Sequence, residues 1–393
     1  MEFRFTPEQE AFRDEVRTFL KQELPEGHVS IPGAPDEGDY EFGQKFLRRL
    51  APKRWIAPAW PQEYGGLGLG LGLWEQVVFN EEMAYQRAPL LNFAATGYLG
   101  PTIMMYGTDD QKAQHLPGIT SNDVQWCQGY SEPESGSDLA SLQTKAVQDG
   151  DDFVLNGQKI WTSQAHYADW MFLLARTDPD APKHRGISYF LIDMKSPGIT
   201  VRPLINMASQ AGFNEVFFEN VRVPRSGLIG ELNRGWYIAT TTLDFERSSS
   251  TGYPTSLRTL EELTEFTKET KSNGKLLIEE PLIRRQRADL WVDLNILRFL
   301  SYRVVSLQAQ KLVPNYEASI VKVFNSEYGQ KLARAGLHML GLYGQLQPES
   351  KYARLAGGFA RSYVTSVGAT IAAGTSEIQR SIIATRGLGL PRG

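Results

Sequence analysis

Cysteine and histidine are scarce in this sequence, and the scarcity limits the kinds of site that it can hold. Its 393 residues include one cysteine, Cys127, and five scattered histidines. One thiol cannot form an internal disulfide framework, and it fits a protein kept in a reducing compartment. Neither a C-x-x-C nor an H-E-x-x-H pattern occurs, so the sequence does not predict a zinc site.

Excess positive charge and long apolar runs are missing as well. The formal net charge is −4 at pH 7, whereas binding to nucleic acid depends on basic side chains that neutralise phosphates. No uncharged apolar run comes near the ~20 residues that a transmembrane helix needs. Residues 1–20 alternate charged and apolar side chains instead of forming the apolar core of a signal peptide. We therefore expect a cytoplasmic protein with no membrane span and no nucleic-acid partner.

The length of the chain and the order of its periodic patterns predict three domains. A chain of 393 residues is too long for a single hydrophobic core. Helical periodicity dominates residues 1–122, short strand-like runs dominate residues 123–232, and helical periodicity returns over residues 233–393. We therefore predict an N-terminal α-helical domain, a middle β-barrel domain and a C-terminal four-helix bundle.

Capping signals and apolar spacing mark the predicted helices. The run from Thr6 to Gln9 combines a cap, a proline suited to the first helical position and a glutamine that can reach back to the cap. The run from Thr108 to Gln111 repeats the capping pattern. In the C-terminal region, the helical patterns lie at residues 236–250, 257–271, 281–312, 316–340 and 375–385.

Seven short runs rich in β-branched or aromatic residues predict the strands of the middle domain. Asn156-Gly157 is the strongest hairpin-turn signal among them, and Asp149-Gly150 is a second. About seven short strands over roughly a hundred residues indicate a small barrel or sandwich. The runs lie at residues 124–129, 143–148, 152–155, 170–175, 187–193, 199–204 and 215–221.

Two polar segments of the middle region have the composition of a site for a flat, polyfunctional ring. Residues 128–138, QGYSEPESGSD, and 156–164, NGQKIWTSQ, each join a strand-like run to small hydroxyl side chains and glycines. Tyr130 and Trp161 add flat apolar faces, so that hydroxyls bind the edges of a ring while an aromatic covers its face. The alternative is two polar hairpin ends around chance aromatics, and the presence of two such segments favours a site. Their small hydroxyl side chains are Ser131, Ser135, Ser137, Thr162 and Ser163.

Four segments, in order along the chain, resemble motifs of the acyl-CoA dehydrogenase family. They are YSEPESGSD at 130–138, NGQKIWTS at 156–163, LDFER at 243–247 and GTSEIQR at 374–380. The resemblance spans nearly the whole chain and implies the family's architecture of an α domain, a β domain and an α bundle. It also implies a bound FAD and the dehydrogenation of an acyl-CoA thioester.

The resemblance implies a set of cofactor and substrate contacts. The two polar segments would line the isoalloxazine ring, and the start of a helix near the C-terminus would meet the adenine end, where free N–H groups favour phosphates. Ser137 would serve both the pyrophosphate and the substrate pantetheine, and Asp244 and Arg247 match positions that hold the pantetheine. Ordinary turn or capping chemistry is the alternative at each position. The residues expected to bind FAD are Gln128, Tyr130, Ser131, Ser137, Trp161, Thr162, Ser163, Thr375, Ser376 and Glu377.

A carboxylate on a predicted helix is the candidate general base. Trp236, Ala239, Leu243 and Glu246 follow 3-4-3 spacing, which places them on one face of a helix. A glutamate at the end of an apolar stripe can be a base whose pKa rises on removal from water. It can equally belong to an ion pair at a bundle interface, and spacing alone favours the ion pair.

The resemblance instead favours Glu246 as the base. Many members of the family carry their base immediately before the glycine of the GTS motif, where this chain has Ala373. A branch of the family carries it just ahead of the arginine of the L-x-x-E-R segment, which is the place of Glu246. The backbone N–H of Ala373 would remain to bind the oxygen of the substrate thioester.

These inferences predict α,β-dehydrogenation of an acyl-CoA to the trans-2-enoyl-CoA. Electron-transfer flavoprotein is the expected acceptor, and a homotetramer or homodimer is the expected assembly, with a hetero-oligomer as the alternative. A flavin oxidase or monooxygenase on the same scaffold and an inactive partner subunit are the other readings, because a fold does not settle function.

Two departures from the family pattern concern the contacts between subunits. The R-x-x-F-G segment, which in many relatives reaches the flavin of a neighbouring subunit, does not occur near residues 275–278. In HMLGLYG, residues 338–344, Leu342 replaces a glycine. Small residues at Ala372, Ala373 and 248–250 hint at room for a long, branched or ring-bearing acyl group, although closely packed helices use small residues too.

Overall fold

The protein is described by a computed structural model. It describes residues 5–26, 28, 37–68, 73–247, 252–310, 312 and 314–391, without the side chains of residues 37, 73 and 244–247. Internal contacts divide the chain into two compact units. Unit 1 comprises Met1–His28, Leu73–Ala88 and Arg247–Gly393, and unit 2 comprises Val29–Gly72 and Pro89–Glu246. In sequence order the described residues are helical, then β, then helical, as predicted.

One sheet of eight strands forms the centre of unit 2. Seven strands follow one another in the order β6-β7-β3-β2-β4-β5-β8, and β1 pairs with β4 in parallel. All seven predicted runs are strands, and β8 was not predicted. The strands are β1 (Trp126–Gly129), β2 (Lys145–Asp149), β3 (Asp152–Ser163), β4 (Trp170–Arg176), β5 (Ile187–Asp193), β6 (Ile199–Leu204), β7 (Phe213–Pro224) and β8 (Leu228–Ile229).

The turn predicted at Asn156-Gly157 is wrong, because β3 runs straight through it. The register of β3 against β7 shifts between Leu155 and Gly157, and Gly157 has φ 151°. The pair therefore forms a bulge, where a glycine fits because its Cβ would lie 2.6 Å from the hydroxyl of Thr144. The second signal is the real hairpin: Gly150, with φ 64°, joins β2 to β3.

Both faces of the sheet are buried, because the residues of β4 and β5 alternate between two cores. Phe172 and Tyr189 face one core, which helices and loops of unit 2 cover, including α4 (Gly100–Tyr106), α5 (Asp109–Thr120) and α6 (Gly235–Arg247). Met171 and Phe190 face the other, whose residues come almost entirely from strands, as in the interior of a barrel. The remaining helix of unit 2 is α2 (Glu37–Leu50).

Unit 1 consists mainly of helices, and its core lies between three of the longest, α7 (Gly252–Glu269), α8 (Pro281–Ala309) and α9 (Tyr316–Leu340). Both capping boxes predicted from the sequence are present, the one at Thr6 in this unit and the one at Thr108 in unit 2. The helices of unit 1 are α1 (Pro7–Glu23), α3 (Leu73–Tyr85), α7 (Gly252–Glu269), α8 (Pro281–Ala309), α9 (Tyr316–Leu340), α10 (Gly358–Ala369) and α11 (Ser376–Ile382).

A buried ionic network fastens α1 to α3 and α8. The guanidinium of Arg13 donates to Glu82 at 2.8 Å and to Glu81 at 3.1 Å. The hydroxyl of Tyr302 on α8 donates to the other oxygen of Glu81 at 2.7 Å. Each buried charge therefore has a partner, which burial in a protein interior requires.

The sequence analysis did not predict helix α10. Its β-branched and aromatic residues give a weak helical signal. Packing supplies what propensity lacks: Phe359 is buried, and a Cβ added at Gly336 of α9 would lie 2.0 Å from its ring. The glycine thus lets α9 and α10 approach closely.

Among the described residues, no helix is long and apolar enough to cross a membrane. The same residues contain no cluster of three or more histidine, cysteine, aspartate or glutamate side chains that could hold a metal ion.

Candidate active site

The first polar segment begins at the end of β1. It places one amide nitrogen and one aromatic ring in the interior. The Nε2 atom of Gln128 is buried and has no hydrogen-bond partner among the described residues. Tyr130 is buried too, with its ring edge-on to Phe172 at 5.8 Å and to Tyr189 at 6.3 Å. A buried amide donor without a protein partner is uncommon and marks a place where a ligand or water binds.

The loop after Tyr130 is fixed by a buried ion pair that the sequence reading missed. Lys159 of β3 donates to the carboxylate of Glu132 at 2.8 Å and to the carbonyl of Tyr130 at 3.0 Å. The same carboxylate accepts from the backbone N–H groups of Gln143 at 2.6 Å and Thr144 at 2.9 Å. One carboxylate therefore closes the whole loop onto β3. A lysine in an otherwise inward-facing position of a strand was the only signal in the sequence.

Burial and pairing shift the pKa values of both Glu132 and Lys159. Burial raises the pKa of Glu132, but Lys159 and the hydrogen-bond donors outweigh it, so that the net shift is downward. Burial lowers the pKa of Lys159 to about 8, against the opposing effect of Glu132. Both groups are therefore charged at neutral pH.

The three serines of the first segment differ in what they can bind. Ser135 is buried and donates to the carbonyl of Asp138 at 2.8 Å, so that it stabilises the loop itself. Ser137 is exposed, and Ser131 is half-buried, with its carbonyl accepting from the N–H of Ile160 at 2.9 Å. Asp138 pairs with Lys183 at the surface. Ser131 and Ser137 thus remain accessible for a ligand.

The second segment is shaped by a bulge that turns Trp161 outward. The register of β3 against β7 shifts between Lys159 and Thr162, and Trp161 has φ 61°. Strict alternation from Lys159 would point residue 161 inward, but the bulge resets the phase, so that Trp161 is 60% exposed and Thr162 is buried. A left-handed conformation at tryptophan is strained, and such strain is concentrated at functional sites.

The residue after Trp161 carries a second unpartnered donor. The Oγ1 atom of Thr162 is buried and has no hydrogen-bond partner within the described part of the chain. Its carbonyl accepts from Asn214 at 2.9 Å, and Asn214 in turn contacts His166 at 3.0 Å. Ser163 is exposed at the end of the strand. The peptide of Thr162 is therefore held in place while its hydroxyl remains available.

Helix α6 has the apolar stripe that its spacing predicts. Ala239 is fully buried, and Trp236 and Leu243 pack against the same core. The last turn contains Asp244, Glu246 and Arg247, whose side chains lie outside the described residues. Their predicted roles, and those of residues 248–250, therefore stay predictions.

The GTS motif of unit 1 forms a tight turn before α11. Ala373 and Gly374 have φ 53° and 85°, and the Nε2 atom of Gln379 binds the carbonyl of Ala373 at 2.9 Å. Thr375 caps the helix by accepting from the N–H of Ile378 at 3.3 Å. The N–H of Ala373 makes no hydrogen bond within the described residues.

The two residues after Thr375 differ in exposure. Ser376 is buried, and its hydroxyl has no partner in the described chain. Glu377 is exposed, and a backbone hydrogen bond, with help from Thr375, lowers its pKa. The helix predicted to start here is present as α11, and the contact of this segment with a cofactor stays a prediction.

Comparison with known proteins identifies the family. Sequence profiles described as the N-terminal, middle and C-terminal domains of acyl-CoA dehydrogenase match residues 6–123, 127–221 and 233–388. The chain belongs to the acyl-CoA dehydrogenase family. It is therefore an oxidoreductase of the class that dehydrogenates acyl-CoA.

Individual relatives agree with this assignment over the full length. The chain is 35% identical over 390 residues to the acyl-CoA dehydrogenase IpdE1 of Mycobacterium tuberculosis, covering 98% of both proteins. It is similar to the solved structure of the Tcur3481-Tcur3483 steroid ACAD, with 32% identity, a TM-score of 0.91 and full coverage of both chains. The ChsE4-ChsE5 complex from Mycobacterium tuberculosis gives 34% identity and a TM-score of 0.88, again over both full chains.

Acyl-CoA dehydrogenases typically bind FAD, and the residues of unit 2 fit the isoalloxazine ring of that cofactor. Gln128 and Thr162 each present a buried polar atom that no described residue satisfies. Trp161, directly before Thr162 in the sequence, holds an exposed aromatic face in a left-handed backbone conformation. Polar donors together with an aromatic face are what a planar heterocycle requires.

Proposed function

We propose that this chain is an FAD-dependent acyl-CoA dehydrogenase that converts an acyl-CoA into its trans-2-enoyl-CoA. The observation that carries the proposal is the pair of buried donors at Gln128 and Thr162, which have no partner among the described residues, together with the strained, exposed Trp161 directly before Thr162. Backbone strain and unsatisfied donors both cost stability. A bound flavin would offset that cost by accepting hydrogen bonds from the donors and contacting the strained tryptophan. FAD, when bound, supplies the acceptor for the hydride that leaves the β-carbon of the substrate.

Glu246 is the proposed general base. The thioester carbonyl makes the α-carbon acidic, and a positioned carboxylate that removes the α-proton speeds such a step by about 10²–10⁴-fold. The described part of α6 supports this role, because it packs its apolar stripe into the core of unit 2 and so fixes the helix that carries Glu246. We also propose that Asp244 and Arg247, on the same last turn, hold the pantetheine.

The other site residues keep the roles predicted from the family. We propose that the isoalloxazine ring contacts the segments around Gln128 and Trp161, that Ser137 contacts the pyrophosphate and pantetheine, and that the capped turn at Thr375 meets the adenine end. Three features support these roles: Ser137 is exposed, the buried hydroxyl of Ser376 has no partner among the described residues, and Thr375 caps the start of α11.

The acyl group is proposed to be bulky and ring-bearing. One similar structure is described as a steroid ACAD, and the chain has small side chains at Ala372 and Ala373, where the proposed oxyanion donor lies. The names of two similar structures each contain two proteins. We therefore propose a hetero-oligomer with a second family member in preference to a homotetramer, and electron-transfer flavoprotein as the acceptor. Native mass measurement of the chain alone and after co-expression with such a partner tests the assembly.

A titration of the purified protein tests the proposed activity. The flavin absorbance is followed without oxygen while acyl-CoAs with straight, branched and polycyclic acyl groups are added in turn. Bleaching by the polycyclic substrates supports the proposal, and bleaching only by straight chains would contradict the substrate class. Rapid oxygen consumption in air would favour an oxidase, and a flavin that no acyl-CoA bleaches would indicate an inactive subunit.

The proposed oxyanion donor is the N–H of Ala373. We expect Ala373→Pro, which removes this N–H, to lower turnover by about 10²–10³-fold, the usual cost of losing one such donor. Proline also cannot adopt the φ of 53° found there, so the variant changes the turn as well. Gly374→Pro is the matched control, because it disturbs the same turn at φ 85° and keeps the Ala373 N–H. Equal losses in the two variants would show that the shape of the turn matters and the N–H does not.

A further inference from the structure

Four buried hydroxyl side chains lie together in unit 2, between the first polar segment and helix α6. Tyr130 follows β1, Tyr189 lies on β5, Thr242 lies on α6 and Thr102 lies on α4. All four are buried, three of them completely. We call these four residues the hydroxyl cluster of unit 2.

At one end, two threonines join α4 to α6. Their Oγ1 atoms lie 2.9 Å apart. The hydroxyl of Thr102 also reaches the carbonyl of Tyr98 at 2.7 Å, and that of Thr242 reaches the carbonyl of Ile238 at 3.1 Å. Each hydroxyl has one proton, so two protons serve three contacts. When both are donated to the carbonyls, the threonine oxygens keep free lone pairs and need a donor from outside.

Tyr189 is the phenol that faces this pair. Its ring stacks on Phe172 at 6.2 Å, nearly parallel, and stands perpendicular to the ring of Tyr130. Burial raises the pKa of Tyr189, and the hydroxyls of Tyr130 and Thr242 oppose that rise as hydrogen-bonding neighbours. Its own hydroxyl is completely buried and makes no well-aligned hydrogen bond to a described residue.

A buried phenol with an incompletely satisfied hydroxyl needs an explanation, because phenylalanine would fill the same space without that cost. The hydroxyl lies between a side chain of the first polar segment and a side chain of the helix that carries the proposed base. Thr242 is four residues before Glu246, which places the two one helical turn apart on the same side of α6.

We propose that Tyr189 is a positioning residue, whose hydroxyl links the base-bearing helix, through Thr242, to the proposed flavin segment, through Tyr130. This inference rests on the proposed function, because it assumes that Glu246 acts on a substrate held at the flavin. The threonine run of α6 makes such a link useful: Thr240, Thr241 and Thr242 all bind carbonyls of the preceding turn. Such bonds bend and loosen a helix, so its last turn needs support from outside.

Tyr189→Phe tests the link, because it removes one oxygen and keeps the ring. A displacement of a reacting group by about 1 Å costs on the order of 100-fold, so we expect kcat to fall by about 10–100-fold while KM for the acyl-CoA changes little. In the purified full-length protein, hydrogen exchange of the amides of residues 235–247 is expected to become about tenfold faster. The midpoint of thermal unfolding should change little, because the ring keeps its packing on Phe172.

Two further variants separate positioning from general packing. Thr242→Val keeps the shape of the side chain without its hydroxyl, and Thr242→Ser keeps the hydroxyl, so the serine variant should lose less turnover than the valine variant. Thr264→Val in α7 is the control: it removes another buried hydroxyl without a partner among the described residues, from unit 1, and should change neither kcat nor exchange in residues 235–247.

The outcomes distinguish this link from the proposed function. If Tyr189→Phe leaves both kcat and the exchange of residues 235–247 unchanged while Glu246→Gln is inactive, the link is wrong and the proposed function stands. If no acyl-CoA bleaches the flavin of the unaltered protein, the proposed function fails. In that case unchanged exchange in Tyr189→Phe still overturns the link, and faster exchange still supports it.

Discussion

Replacing Glu246 with glutamine is expected to lower the rate of flavin reduction by acyl-CoA by about 10²–10⁴-fold, the usual contribution of a positioned general base. Glutamine has nearly the same shape and cannot accept the α-proton. The fold and the flavin absorbance should therefore be retained, and addition of acyl-CoA should still perturb the flavin spectrum. Stopped-flow mixing without oxygen, followed at the flavin absorbance maximum, measures the rate of reduction directly.

The control for Glu246→Gln is the same replacement of a glutamate that is exposed to solvent. Glu269, near the end of α7, is exposed, and Glu269→Gln should reduce its flavin at the rate of the unaltered protein. A rate within about threefold of normal in Glu246→Gln, far less than general-base catalysis supplies, would place the base elsewhere in the chain. It would also favour the ion-pair role that helical spacing alone suggests for this residue.

Replacing Lys159 with methionine is expected to lower the free energy of unfolding by about 3–5 kcal/mol, the usual cost of breaking a buried ion pair by removing one partner. Methionine fills much of the volume of the lysine, but it leaves the charge of Glu132 buried and uncompensated. The same change frees the carbonyl of Tyr130 from its 3.0 Å contact, so that FAD should bind more weakly too. Urea unfolding and a fluorescence titration with FAD measure the two effects.

Two variants show whether burial is the cause of that loss. Lys331 pairs with Asp293 at 2.6 Å with much of its side chain exposed, and Lys331→Met should cost only about 0–1 kcal/mol. Adding Glu132→Gln to Lys159→Met should recover part of the loss, because no buried charge is left. If Lys159→Met and Lys331→Met cost the same, the buried pair contributes nothing beyond an ordinary surface pair.

The effect of Lys159→Met should also depend on pH, with a sign set by Glu132. In the unaltered protein the pKa of Glu132 is lower in the folded than in the unfolded state. Its contribution to stability is therefore complete above the unfolded value of about 4.3 and is lost as the pH falls through the folded value. Without Lys159, the largest cause that lowers the folded pKa of Glu132 is lost, while the raising effect of burial remains. The difference in stability between the two proteins should therefore narrow as the pH falls below about 4.

Local signals predicted most of the elements, and long-range contacts decided the others. The caps at Thr6 and Thr108 and helix α9 were predicted correctly, because capping and apolar periodicity are local. The register of β3 at Asn156-Gly157 depends instead on pairing with β7, and α10 depends on the contact of Phe359 with Gly336. Neither is visible from neighbouring residues alone.

The candidate site follows the same division. Composition and resemblance were enough to select the segments around Gln128, Trp161 and Thr375. They could not show that Trp161 is turned outward by a bulge, nor that Glu132 and Lys159, 27 positions apart in the sequence, form the pair that closes the loop. Tyr189 drew no attention because a tyrosine in an apolar strand is unremarkable until its hydroxyl is found without a well-aligned partner.

The network around Arg13 has a consequence for the order in which the chain acquires its structure during synthesis. Arg13 and Tyr302, which share Glu81, leave the ribosome far apart in time, and all of β1 to β8 emerges between them. Because domains tend to fold as they are synthesised, the sheet unit can be completed while the first helix still waits for α8. A nascent chain that is cut short after β8 but before residue 302 would therefore carry a finished sheet and an amphipathic N-terminal segment without its final partner, a species that chaperones and proteases recognise.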